Sequence, residues 1–312
     1  GSTFKPFLYS LAIQEGMNPC DKILNSPVVF NKDQWGLSKD WIPYNASPEF
    51  DGLNLPLKFG LANSINIMTA SIMHEYGPHA VVDIARKMGV TSNLEATPSI
   101  CLGTFEITVK EIAAAYSTFV NQGVYTEPLL ITKITDKNGV LIEEFSPKKN
   151  ESLSEQTSSI MVNLLKGAVT GVYNKDVHDR STKNIGTRGT AMSLRGNKYN
   201  IKAEIGGKTG TTQNYSDGWF VGITPNLVTA VWVGCEDRSA HFNSSKGYGG
   251  YMALPIFGHF MRDVYDDETI TEVTEQDRFK YSSMQIKNYA ANKMNCDQIE
   301  DINIEESETE DF

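Results

Sequence analysis

The sequence predicts an α+β fold, an antiparallel sheet flanked by helices, on three observations. Apolar residues recur at helical spacing through much of the first 171 positions. Three runs of strand character then follow one another between 201 and 237, separated by turn residues rather than by helices. There is no internal repeat and no alternation of strand with helix of the kind that builds a parallel sheet.

Taken in order, residues 4–15 read as a helix, with Phe7, Leu8, Leu11 and Ala12 at helical spacing. Residues 18–55 are interrupted by Pro, Gly, Asn and Asp and contain "DWIPYN"; long irregular stretches of this kind are often functional. Helical patterns follow at 56–76 and 78–88. A third spans 108–123, with Thr108 as N-cap and Gly123 as C-cap. Residues 129–145 alternate around Asn138-Gly139 and predict a β-hairpin. A helix is expected at about 154–171, then a polar, glycine-rich loop with partial order at 172–200. The three strand-like runs are "IKAEIGGKTGT", "DGWFVGITP" and "LVTAVWVGCED"; the last two are joined through Pro225 and Asn226 as antiparallel neighbours. A closing helix is expected at about 254–265.

With 312 residues and 40% apolar content the chain can bury a substantial core. No apolar run approaches the ~18 residues of a membrane span, and no signal-peptide pattern is visible. The net charge of −10 is mostly a property of the end: residues 300–312 hold seven acidic groups and no basic ones, which leaves about −3 for the rest. Residues 1–265 are therefore expected to form the domain, and 266–312 an acidic, partly disordered tail. No basic stripe points to nucleic acid. Cys20, Cys101, Cys235 and Cys296 lie far apart, so zinc is not expected and any disulfide pairing is left open. "HEYGPH" fails as a metal motif, because His74 and His79 are five apart and Gly77-Pro78 interrupts the helix between them. No metal or cofactor is expected.

Chemistry is carried by three short motifs in fixed order. The first, Ser2-x-x-Lys5, opens a helix; with Gly1-Ser2 alone it has the form of a vector scar. The second, Ser64-Ile65-Asn66, comes 62 residues later in a helical region. The third, Lys208-Thr209-Gly210, comes another 144 residues on, in a strand, and is followed by Thr211 and Thr212. Serine is a poor nucleophile without a base, and a lysine three positions on shares its helix face. To accept a proton that lysine must be neutral, through burial or a cationic neighbour; Lys208 is a candidate for the latter. A serine at a helix start also meets the positive end of the helix dipole.

The three motifs together are those of penicillin-binding proteins and serine β-lactamases. The flanks "GSTFKPF", "LANSIN", "GGKTGTT" and "DGWFVGITP", with "WIPYN" and the hairpin, make residues 1–265 resemble the transpeptidase domain of class A, bifunctional penicillin-binding proteins. The resemblance implies a serine-type D-Ala-D-Ala transpeptidase that crosslinks peptidoglycan stem peptides through an acyl-enzyme and is the target of β-lactam antibiotics. It implies Ser2 as nucleophile and Lys5 as its base, with Ser64 relaying a proton and Asn66 holding Lys5 and a substrate carbonyl. Lys208, Thr209, Gly210, Thr211 and Thr212 would bind the substrate, and the backbone amides of Ser2 and Thr211 would form the oxyanion hole. It further implies a parent with a membrane anchor and a glycosyltransferase domain, on the extracytoplasmic (periplasmic) face of the bacterial cytoplasmic membrane, in a cell-wall synthesis complex. The parent sheet would have five strands, two of them N-terminal strands that this chain lacks. Asp217 is expected to support the turn after the motif strand, and Trp219 and Phe220 to belong to the core. Two alternatives on the same fold stay open, a serine β-lactamase and a non-catalytic β-lactam sensor. Against the first, no glutamate between Ser64 and Lys208 stands in the E-x-x-L-N pattern of the class A enzymes.

Overall fold

The structure, a computed structural model, describes residues 1–174, 177, 187–280 and 296. A 3-10 turn at Ser2–Phe4 runs straight into helix α1 (Lys5–Gln14). Every residue of α1 from Lys5 to Ile13 is buried, so the helix is enclosed on all sides rather than amphipathic. The irregular stretch expected at 18–55 contains strand β1 (Lys22–Leu24), one turn of helix α2 (Lys32–Trp35) and a 3-10 turn at Pro48–Phe50, and strand β2 (Asn54–Pro56) returns antiparallel to β1. His74, half of the rejected metal motif, packs its ring 5.5 Å from those of Phe30 and Trp35.

The single helical pattern read at 56–76 is two helices, α3 (Leu57–Ala62) and α4 (Asn66–Tyr76). Between them Ser64 has a φ of 58°, a left-handed value that non-glycine residues rarely adopt. The apolar period does not register this break because Leu61, Ile65, Ile67 and Met68 are buried on both sides of it. Helix α5 (Pro78–Lys87), a 3-10 turn at Pro98–Leu102 and helix α6 (Val109–Val120) follow. The Thr108 side chain caps α6 and the Glu111 side chain reaches back to the Thr108 amide, a complete capping box. The C-cap is Asn121 rather than Gly123, which takes a φ of 87° two residues later.

Next come β3 (Val124–Thr126), β4 (Lys133–Thr135), β5 (Leu141–Glu144) and β6 (Lys149–Glu151), β3 pairing with β6 and β4 with β5. The expected hairpin is therefore present. Its turn is three residues, 137–139, closed by Asp136 Oδ1, which accepts from the amides of Asn138 and Val140 at 2.8 Å each. Helix α7 (Glu155–Thr170) is capped by Ser154. The stretch 172–200, expected as a loop with partial order, contains the paired strands β7 (Val172–Tyr173) and β8 (Thr187–Arg188) and a 3-10 turn at Met192–Arg195; residues 175–176 and 178–186 of it lie outside the described residues.

The three expected strands are β9 (Gly206–Thr211), β10 (Asp217–Ile223) and β11 (Val228–Gly234), an antiparallel sheet in the order β11-β10-β9. Helix α8 (Gly249–Asp266) packs on one face, where Phe220 meets Phe257 with ring centroids 4.8 Å apart. Val221 and Ile223 point the other way, into the main core with α1, α6 and α7. The sheet is thus sandwiched between helical layers. Helix α8 begins five residues before the expected position: Pro255 lies inside it and removes one hydrogen bond without ending it.

The packed body also reaches beyond 265. Phe279 joins the main core, its amide donating to Glu204 Oε2 at 3.0 Å, and Asn226 Nδ2 donates to the Glu272 carbonyl at 3.0 Å. Residues 266–280 therefore belong to the body, because an apolar anchor holds them; the rest of the acidic tail, Cys296 apart, lies outside the described residues. The open cysteine question has an answer, a disulfide between Cys20 and Cys296 across 276 residues, with Cys101 a buried thiol and Cys235 an exposed one. No described helix is long and apolar enough to cross a membrane.

Glu111 closes a knot beyond its own cap. Its carboxylate also accepts from the amides and hydroxyls of Thr91 and Ser92 at 2.6–2.8 Å. These hydrogen bonds outweigh partial burial and hold the carboxyl far below the usual carboxylate range. Because the folded value is depressed, the stabilisation is present above the unfolded value of 4.5 and fades as pH falls below it. Glu111→Gln should cost about 1–2 kcal/mol at neutral pH, after allowance for solvent screening. In urea unfolding the gap from the parent should narrow steadily as the pH is lowered below that value.

Candidate active site

The site is assembled from three distant parts of the chain. At its base is the opening 3-10 turn, in which the Phe4 amide donates to the Gly1 carbonyl at 3.1 Å and the Lys5 amide to that of Ser2. With three residues per turn, the side chains of Ser2 and Lys5 are eclipsed on one face. Ser2 is half-buried and Lys5 fully buried. The turn is held from behind: Tyr116 of α6 donates its hydroxyl to the Thr3 carbonyl at 2.6 Å, and the Phe4 ring stacks on Phe7 at 4.5 Å and meets Phe105 edge-on at 4.4 Å.

Lys5 Nζ points at the break between α3 and α4. It donates to the Ser64 carbonyl at 2.7 Å and to Asn66 Oδ1 at 2.6 Å, and lies 3.3 Å from Ser64 Oγ. From the opposite side Lys208 Nζ donates to Ser64 Oγ at 2.8 Å and to the Thr209 carbonyl at 3.0 Å. Two lysine amines thus converge on one serine hydroxyl, and both side chains are wholly buried. Among the described residues neither lysine has a carboxylate partner. The strained backbone of Ser64 is what turns both its carbonyl and its hydroxyl toward the two amines, a local strain of a kind that gathers at functional sites.

Burial lowers the Lys5 amine to about 7, since its charged form has lost its water. Burial, with the charge of Lys5 as a second cause, takes Lys208 well below the ordinary lysine range. The Cys101 thiol near Lys5 is pushed up to about 12 by burial and is uncharged at neutral pH.

Strand alternation divides β9. Lys208 and Gly210 face the opening turn, where a Cβ on Gly210 would lie 2.9 Å from Thr3 Cγ2; glycine permits this contact. Thr211 faces α8 and accepts from the Gly249 amide at 3.0 Å, keeping its own proton free to donate. Its backbone passes close to the opening turn, within 3.2 Å of where a Cβ on Gly1 would stand. β9 pairs only with β10 among the described residues, so its other edge has no strand partner there.

Of the nine residues singled out in the sequence, Lys5, Ser64, Asn66 and Lys208 are in direct contact, and Ser2, Thr209, Gly210 and Thr211 border them. Thr212 departs from expectation. Its hydroxyl donates to Asp217 Oδ2 at 2.9 Å and accepts from the Asp217 amide at 3.0 Å, so it braces the turn rather than facing a ligand. Asp217 also accepts from Trp232 Nε1 at 2.9 Å, which makes it the expected support of that turn. The S-x-N motif does not sit within one helix, since Ser64 occupies the break and Asn66 opens α4. Sequence reasoning assigned no role to Tyr44, Asn45 and Tyr116, which hold the site from outside the motifs; the irregularity of 18–55 and the "WIPYN" stretch of the resemblance pointed toward the first two.

A family model described as the penicillin-binding protein transpeptidase domain matches residues 1–262. Penicillin-binding protein 1A of Aquifex aeolicus is 33% identical over 267 residues, an alignment covering 85% of this chain and 33% of that protein. Penicillin-binding protein 1A from Haemophilus influenzae has a similar solved structure, with a TM-score of 0.72 at 24% identity over 86% of this chain and 42% of that one. The PonA1 protein from Mycobacterium tuberculosis, solved in complex with penicillin V, has a TM-score of 0.65 at 23% identity over 90% of this chain and 71% of that one. At these identities the solved structures establish the fold. The chain spans about a third of the length of the curated relative.

The depressed value of Lys5 has a measurable consequence for stability. Between about 7 and the ordinary 10.5 the unfolded chain binds a proton that the fold does not, so stability rises with pH across that window. Lys5→Met removes that proton. Its unfolding free energy should climb less steeply over the window, by about 1.4 kcal/mol per pH unit.

Proposed function

Because this chain belongs to the penicillin-binding protein transpeptidase family, we propose that it carries the acyl-transfer site of a peptidoglycan D,D-transpeptidase with Ser2 as nucleophile. The observation that carries the reading is the convergence of Lys5 and Lys208 on the Ser64 hydroxyl, with Asn66 accepting from Lys5, beside a serine eclipsed with Lys5.

In this reading the neutral Lys5 takes the proton of Ser2 as Oγ bonds to the carbonyl carbon of the penultimate D-Ala of a stem peptide. The oxyanion forms against the amides of Ser2 and Thr211, each such donor being worth roughly 10²–10³ in rate. The proton passes from Lys5 through the Ser64 hydroxyl to the departing nitrogen, the peptide bond breaks, and D-Ala leaves as an amine. An amine of a neighbouring stem then attacks the Ser2 ester, losing a proton to Lys5; the ester bond breaks, Lys5 returns the proton to the departing Ser2 oxygen, and the new amide is the crosslink. The substrate's terminal carboxylate would be met by Lys208, Thr209 and Thr211 and would favour the charged form of Lys208. That charge in turn holds Lys5 neutral. A β-lactam would follow the same first step, its ring amide opening onto Ser2; the penicillin V complex of PonA1 supports this part.

A β-lactamase needs a group that activates water against the ester. No carboxylate joins Ser64, Lys5 or Lys208 by a hydrogen bond among the described residues, which favours the transferase. A disulfide is at home in an oxidising compartment, which supports the extracytoplasmic face of the bacterial cytoplasmic membrane as the location. The anchor, a glycosyltransferase domain, two further sheet strands and membership of a cell-wall synthesis complex are proposed for the parent protein on the same family grounds.

Intact-mass measurement after incubation with a penicillin should show one adduct on Ser2, lost in Ser2→Ala. Absence of the adduct in the folded parent protein would sink the reading. The acylation rate should rise with pH through about 7 and then level, as Lys5 gives up its proton. Lys5→Arg, which stays charged, should lower it on the order of 10³-fold on the plateau above about 7 and remove the pH dependence, so that the gap narrows as pH falls. Rapid continuous hydrolysis of nitrocefin instead of a stoichiometric burst would favour the β-lactamase.

A further inference from the structure

Asn66 is held by residues outside the three motifs. Helix α4 has Ile65 at its N-cap position and no side-chain cap of its own. Its first two amides, those of Asn66 and Ile67, donate instead to Asn45 Oδ1, at 2.9 and 3.0 Å. Asn45 Nδ2 donates to Asn25 Oδ1 at 2.9 Å and to Asp51 Oδ1 at 2.7 Å. All four contacts agree on one orientation of this amide. Turned over, it would set NH2 against two amide protons and an oxygen against a carboxylate. The preceding residue, Tyr44, accepts from Asn66 Nδ2 through its carbonyl at 2.9 Å. That leaves Asn66 Oδ1 for Lys5.

Residues 44 and 45 therefore hold Asn66 twice, through its backbone and through its side chain. The hold is rooted in the interior. Asn25 is fully buried, its Nδ2 donating to the Phe50 carbonyl at 2.7 Å and its backbone bonded to Leu53 and Gly52.

We propose that Asn45 is a positioning residue for acyl transfer, fixing the start of α4 so that Asn66 aims its carbonyl oxygen at Lys5. This rests on Lys5 being the base for Ser2. A neutral lysine has two N–H groups and one lone pair. With the N–H groups committed to the Ser64 carbonyl and Asn66 Oδ1, the lone pair is left for a hydroxyl: that of Ser64, 3.3 Å away, and, in this proposal, that of Ser2. If α4 loses its cap, the first turn that carries Asn66 loosens, and the lone pair loses its direction while the pocket itself remains.

The test is acylation of the complete protein by a fluorescent penicillin, resolved into the first-order acylation constant and the pre-covalent dissociation constant, across the pH range. Asn45→Ala should lower the first-order constant roughly 10- to 100-fold, as small misplacements of a reacting group do. The dissociation constant should stay unchanged. The acidic midpoint of the rate should move to lower pH, because the charged form of Lys5 loses an acceptor. Asn45→Asp combined with Asp51→Asn keeps the acceptor for α4 and re-forms the bond between 45 and 51 with its polarity reversed, but sets an oxygen against Asn25 Oδ1; it should restore part of the rate lost in Asn45→Ala. Should Asn45→Ala not fold, Asn45→Ser carries the same test, being too short to serve both amides. An unchanged first-order constant in either folded variant, or a loss confined to melting temperature, overturns the proposal. A parent protein that takes no adduct on Ser2 overturns the reading beneath it, and this proposal with it.

Discussion

Two lysine amines buried around a single hydroxyl, with no carboxylate among the described residues to neutralise them, set the terms for the rest of the molecule. Burying a charged amine without a counter-ion is strongly unfavourable, so the fold holds the amines in a state where giving up a proton is easy. It compensates with neutral oxygens. Lys5 has the Ser64 carbonyl and Asn66 Oδ1, and Lys208 has the Thr209 carbonyl and the Ser64 hydroxyl. Dipoles of this kind satisfy the hydrogen-bonding capacity of the amines without binding their protons as a carboxylate would.

Keeping those oxygens in place requires a rigid surround. Helix α1 is enclosed on every side, so the Lys5 side chain is fully buried. Ser64 adopts an unfavourable backbone conformation, which only tightly packed neighbours can maintain, and α3 and α4 clamp it from both directions. On the other side, the register that sets Lys208 opposite Val221 keeps its strand beneath the opening turn. Gly210 lets that strand approach Thr3 closely enough for the Thr211 backbone to stand beside the turn. The polar knot around Glu111 caps α6, the helix whose Tyr116 holds the turn from behind.

Much of this was legible in the chain itself. The order and spacing of Ser2-x-x-Lys5, Ser64-x-Asn66 and Lys208-Thr209-Gly210 mark one candidate site, and the fold brings Lys5, Ser64, Asn66 and Lys208 together there. Helical period, the Thr108 cap, the Asn138-Gly139 turn and the three late strands likewise identified element types, since those signals act within a few residues of one another.

What sequence could not settle lies in contacts that no local pattern encodes. The break at Ser64 is hidden under an unbroken apolar period. Thr212 resembled its neighbours until Asp217 was seen to occupy its hydroxyl. The clamp from Asn45 to Asn66 spans 21 residues, the Lys208 contact to Ser64 spans 144, and the disulfide spans 276. By itself the sequence determined most of the longer elements and which side-chain types stand in the three motifs, through backbone propensity and side-chain chemistry. Tertiary structure alone decided which amine meets which oxygen and which of them lose their water, because both depend on distances that exist only once remote segments have packed.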